Sequence, residues 1–252
     1  MSANCPRTPS YAINTAWFIM NILFIVMQLF IVLFAITIHE ASPGWAANRM
    51  GDPTALKLGR VTMNPIAHID PIGTVLLPVL MSIAGLPAFG WAKPVPVNPY
   101  NLKNPRRDNI WISFAGPAAN LMAAAAAFFL LFILKLANAE AGFFLRNLVE
   151  ILKLKAGFMI PILPQGFHLA EGLVLFLFMF LIMNCYFAVF NLIPIPPLDG
   201  SGVLMGILPD EAAQRYDRIR PYGFIIVIFL VYMGFLSIII EPLKFLIFIF
   251  LG

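Results

Sequence analysis

Two places in the chain carry residue types that could do chemistry. His39 and Glu40 follow directly on an unbroken apolar run, where ionisable groups are costly and call for a reason. A His-Glu pair on a helix is the first half of the His-Glu-x-x-His zinc pattern, whose two histidines share one helical face while the glutamate serves as base. Here the run reads His39-Glu40-Ala41-Ser42-Pro43, so the second histidine is absent. The plainer reading of the pair is a marker of the water interface. The second place is Asn191-Leu192-Ile193-Pro194-Ile195-Pro196-Pro197-Leu198-Asp199-Gly200, at the end of another apolar run. Its prolines cannot continue a helix, so the backbone unwinds and presents Asp199 from irregular chain. Irregular backbone at membrane depth is tolerated only when buried in protein or lining a wet cavity. Asp199 is then a ligand candidate, or else part of a surface Asp-Gly turn after a helix stop.

The elements that must position these groups follow from composition. The chain has 252 residues, 61% hydrophobic and 11% charged, against roughly 45–50% and 25% in an ordinary soluble domain. A water-soluble globule, intrinsic disorder and a disulfide scaffold are excluded, the last because there are two cysteines, Cys5 and Cys185, without metal or redox spacing. The net charge of +4 comes from scattered Lys and Arg, which is no footprint for nucleic acid. Residues 16–38 are long enough to span a bilayer and too long for a signal-peptide core. Further spans are expected at 110–134, 173–192 and 224–240, with a tail at 243–251 too short to cross. Residues 72–89 are apolar but broken by Pro78, Gly85 and Pro87, and read as a re-entrant segment. Short extended stretches at 58–62 and 91–97 read as edge strands. The expected fold class is an all-α integral membrane protein, a polytopic helix bundle with a short membrane-associated β-element and a re-entrant segment. It forms one domain over 1–252, with a motif core at 16–200, a C-terminal helix and tail at 222–252, and no extra soluble domain.

With 72–89 re-entrant, 10 of the 16 Lys and Arg residues fall on one face, which the positive-inside rule makes cytoplasmic. The helices ending at His39 and before Asp199 then both run inward, so the His, the Glu and the Asp share a depth near the cytoplasmic face. A metal centre there is the expectation.

With these motifs in hand, the chain resembles the site-2 protease family of intramembrane zinc metalloproteases. The resemblance rests on His39-Glu40, Gly51-Asp52-Pro53-Thr54-Ala55, Leu58-Gly59-Arg60, the run 64–74 with His68 and Asp70, the run 90–97 around Lys93-Pro94-Val95-Pro96, the run 115–120 from Ala115-Gly116-Pro117 to Asn120, and finally 191–200. It implies Zn2+ as cofactor, His39 and Asp199 as zinc ligands, Glu40 as catalytic base, and Asn120 and Asn191 as substrate-binding residues. It also implies a transmembrane protein as substrate, the lipid bilayer as surroundings and a bacterial-type plasma membrane as location. The family has His where this chain has Pro43, which carries no donor atom for a metal. At Pro43 the helix is expected to kink or end. His68 is expected to be a supporting residue and His168 an interfacial one. Two classes of function follow: a zinc endopeptidase acting in or near transmembrane segments, or a catalytically inactive relative that binds or regulates membrane proteins. A transporter or channel is disfavoured by the absence of inverted repeats.

Overall fold

A computed structural model describes residues 10–83, 90–153 and 168–252. The first helix, α1 (Ser10–Arg49), continues well past residue 38 and contains Pro43 in its interior. No helix end falls at that proline, although it strips the hydrogen bond to the His39 carbonyl at a cost of roughly 3 kcal/mol. The last turns of α1 are instead held by packing. Ala46 and Ala47 are buried together with Leu102 and Ile112, and Asp52 N–H caps the Ala47 carbonyl at 2.9 Å. Upstream, the Ser42 hydroxyl donates to the Ile38 carbonyl. His39 and Glu40 therefore sit inside a helix and not at its end.

A four-residue helix, α2 (Thr54–Lys57), and two short turns, Pro65–His68 and Pro71–Leu76, lead into α3 (Leu77–Ile83). The apolar helix Pro71–Met81 is shorter than a membrane span. Beyond residues 84–89, which lie outside the described part, the chain comes back to where it left. Trp91 N–H donates to the Gly73 carbonyl at 3.2 Å, and the Thr74 hydroxyl donates to the Trp91 carbonyl. The expected edge strands are not found: the described residues contain no strand. Around residues 58–62 the chain turns, with Gly59 at a φ of +67°. Residues 91–97 form an irregular strap that bonds inward at Trp91 and, through Lys93 N–H, to the His68 carbonyl. Pro94 and Pro96 have no N–H with which to continue a ladder.

The long helices α4 (Pro105–Ala137) and α6 (Leu169–Asn191) complete, with α1, the set of three that are long and apolar enough to cross a membrane. Phe24 of α1, Ala124, Ala127 and Leu131 of α4, and Val174, Leu177, Phe178 and Leu181 of α6 form the main core, with α5 (Ala139–Lys153) adding Phe144, Leu145 and Leu148. After α7 (Asp199–Ile207) and α8 (Asp210–Asp217), the fourth expected span is interrupted: α9 (Arg220–Tyr232) and α10 (Phe235–Leu251) meet at Gly234. Its φ of +76° is left-handed, a conformation that stops a helix and that glycine adopts without penalty. The tail expected to be too short to span is absorbed into α10.

One buried carboxylate joins the end of α1 to the chain entering α4. Asp52, with no exposed surface, accepts from the Thr54 hydroxyl and N–H, from Asn98 N–H at 2.7 Å and from Asn101 Nδ2 at 2.8 Å. Burial alone would raise its pKa, but those donors, Asn101 and Thr54 foremost, outweigh it and hold the carboxyl at about 2. A carboxyl depressed below its unfolded value of about 3.9 stabilises the fold above that value and ceases to do so as pH falls toward 2. Asp52→Ala should lower stability by about 3 kcal/mol by leaving several donors unpaired. Asp52→Asn should flatten the loss of thermal stability between about pH 4 and pH 2, read by melting in detergent.

Candidate metal centre

His39 is 7% exposed, and its ring lies flat against α4 at Gly116. A Cβ added to Gly116 would stand 2.8–3.1 Å from three atoms of that imidazole, so only a glycine lets the two helices approach this closely. The ring is held at both ends. Nδ1 lies 2.7 Å from Asn120 Oδ1, and Nε2 lies 2.9 Å from Asp199 Oδ2. Asn120 in turn donates to the Ala35 carbonyl and to Asn184 Oδ1. Asn120 is fully buried and faces His39. Phe187 of α6 closes over the imidazole with ring centres 6.5 Å apart.

Asp199 reaches this point because α7 is set tightly on α4. A Cβ on Gly202 would meet the Ser113 hydroxyl at 2.2 Å, and one on Gly206 would meet Ile110 at the same distance. Asn109 Nδ2 donates to the Gly202 carbonyl and Arg106 Nε to that of Gly206, while Arg106 also pairs with Asp210 at 2.6 Å. The proline-rich run before Asp199 is irregular, as expected, but Asp199 itself opens α7, where the helix dipole favours an acid. Tyr216 of α8 ties the run down by donating to the Pro194 carbonyl.

Glu40 is half-buried and within electrostatic reach of His39, Asp199 and Arg60. Arg60 itself is 6% exposed; Nη2 donates to the Lys93 carbonyl, while Nε is buried without a partner. Asn191 bonds back to the Phe187 carbonyl of its own helix. His68 supports the strap rather than the centre: its Nε2 donates to the Thr62 carbonyl, and burial, reinforced by Arg60, lowers its pKa. His168 stands exposed at the start of α6. Three residues important to this geometry carry weak sequence signals. Gly116 and Arg60 lie inside motifs that name no role, and Asn184 is an amide in the middle of an apolar helix.

The donor atoms of His39 and Asp199 converge. Asp199 Oδ2 is buried and has no hydrogen-bond partner, although the Nε2 atom is 2.9 Å away. With a proton on Nε2 the two atoms form an ion pair; without one they are two donor atoms converging on a point that a cation could share. Nevertheless, the set does not fit a catalytic zinc centre, which takes three protein ligands and water. Among the described residues no group of three His, Cys, Asp or Glu is placed to hold a metal, and the position one turn after His39 belongs to Pro43. Gly116→Ala should displace the imidazole and cost about 1–3 kcal/mol, read as a lower melting midpoint; an unchanged midpoint means the ring has room to give way.

Comparison with known proteins bears on this centre. The family model for Peptidase family M50 matches residues 27–235. Two relatives carry the name "Putative zinc metalloprotease". YwhC of Bacillus subtilis is 33% identical over 212 residues, covering 84% of this chain and 79% of its own. Rip2 of Mycolicibacterium smegmatis is 29% identical over 198 residues, covering 79% of this chain and 63% of its own. No solved structure matches the chain. With the match extending from the first membrane helix through the Asp199 loop and into α10, the chain belongs to peptidase family M50, the site-2 protease family.

Proposed function

We propose that this protein acts on transmembrane or membrane-adjacent segments of membrane proteins at the site of His39, Glu40 and Asp199, as an intramembrane endopeptidase whose metal centre is weakened at position 43. The observation that carries the proposal is the meeting of His39 Nε2 and Asp199 Oδ2 at 2.9 Å from two different helices, with Glu40 next in sequence to His39. Zinc, the metal in the relatives' name, would have these two side chains as its protein ligands here. Glu40 is the carboxylate that would accept a proton from an attacking water, a role that needs a base within reach of the reacting group. The expected setting is a bacterial-type plasma membrane, with the site near its cytoplasmic face.

Pro43 favours a second reading: a relative that holds membrane segments, and so regulates or shelters them, without cutting. Zinc content separates the two. Purified in mild detergent, the present sequence should hold zinc close to the level of Pro43→His under the peptidase reading and far less than one zinc per chain under the second, while Pro43→His should hold about one and cleave a membrane-anchored reporter. Equal zinc in both proteins would mean that another group completes the site. Zinc in Pro43→His without cleavage of any membrane reporter would overturn the peptidase reading. In the Pro43→His background, Glu40→Gln should abolish cleavage and leave zinc bound; continued cleavage would remove Glu40 from the mechanism.

A further inference from the structure

Asn184 sits within α6 with no exposed surface. A buried amide in an apolar helix must find its partners inside the protein. Asn184 Nδ2 donates to the Phe180 carbonyl of its own helix at 2.9 Å, which leaves Oδ1 as the acceptor turned toward α4. That oxygen takes a hydrogen bond of 2.8 Å from Asn120 Nδ2, and the same Asn120 nitrogen gives its other hydrogen to the Ala35 carbonyl of α1 at 3.1 Å. Turning the Asn120 amide over would set its oxygen against two acceptors, the Ala35 carbonyl and Asn184 Oδ1. The oxygen therefore stays on His39, and Nδ1 of His39 is the nitrogen that donates to it. Nε2 is left to face Asp199.

We propose that Asn184 is a positioning residue: acting through Asn120, it sets the orientation of the His39 imidazole and decides which of its nitrogens is offered to Asp199. Partners that orient a ligating histidine in this way strongly affect what the ring can hold. Three helices contribute to the relay, so the ring's orientation depends on α6 even though α6 supplies no metal-donor atom to the centre itself. The inference rests on the reading of His39 as the working imidazole of the site, but its test uses neither zinc nor cleavage.

The chain has three histidines, so full-length protein labelled with 15N-histidine in detergent gives few imidazole signals to resolve. His39 Nδ1–H should exchange slowly with water. Asn184→Leu removes the acceptor and should speed that exchange about tenfold, the effect of losing one buried hydrogen bond. Asn184→Asp still accepts from Asn120 and should restore slow exchange. The His68 ring signal, fixed by its bond to the Thr62 carbonyl, reports that the fold is intact. An unchanged His39 rate in Asn184→Leu, with His68 in place, overturns the proposal. Should the Leu variant lose the His68 signal, Asn184→Ala takes its place, and equal rates in the Ala and Asp variants overturn the proposal likewise. Failure of the peptidase reading shows separately, in zinc content and reporter cleavage.

Discussion

The site depends on one imidazole being gripped from both sides. His39 cannot rotate without breaking the 2.7 Å contact to Asn120 or the 2.9 Å contact to Asp199, and it cannot move sideways because the Gly116 backbone is against its face. Each grip comes from a different part of the chain. Asn120 and Gly116 are on α4, Asp199 opens α7, and α7 is itself seated on α4 through Gly202 and Gly206. α4 is the common platform: Gly116 on it lets α1 come close, and Gly202 and Gly206 of α7 let α7 settle on it, so that short side chains meet.

Pro43 sits one turn from this ring and acts twice. It removes the backbone hydrogen bond to the His39 carbonyl, and it leaves a helical position with no donor atom for a metal. The first effect is absorbed because Ala46 and Ala47 are packed against Leu102 and Ile112 beyond it, and the α1 terminus is fastened by Asp52 to the chain entering α4. No packing can supply the missing donor. Fold and side-chain chemistry separate at this position: the family M50 fold accommodates a residue that carries no donor atom.

Much of the fold was legible in the residues. Long apolar runs named α1, α4 and α6, since a bilayer-length run of apolar residues has few other uses. Of the expected breaks at Pro78, Gly85 and Pro87, Pro78 lies within a helix and the other two fall outside the described residues. Other features did not survive contact with the structure. The β-element failed because extended residues need a partner ladder, and Pro94 and Pro96 deny one. The span at 224–240 failed because hydropathy does not register the left-handed turn at Gly234. The end of α1 was misplaced because proline's local cost was weighed without the tertiary packing beyond it.

At the site, the sequence by itself determined which residues could do chemistry and which could not: His39, Glu40 and Asp199 as candidate groups, and Pro43 as a position without a ligand atom. Those are properties of side-chain type and survive any conformation. Only the tertiary structure decided that Asn120 faces His39, that Gly116 is the wall behind the ring, and that Asn184 takes part at all. Hydrogen-bond direction and close approach depend on which helices become neighbours, and residues 64 and 85 positions apart, such as Asn120 with Asn184 and with Ala35, leave no spacing in the sequence that marks them as partners.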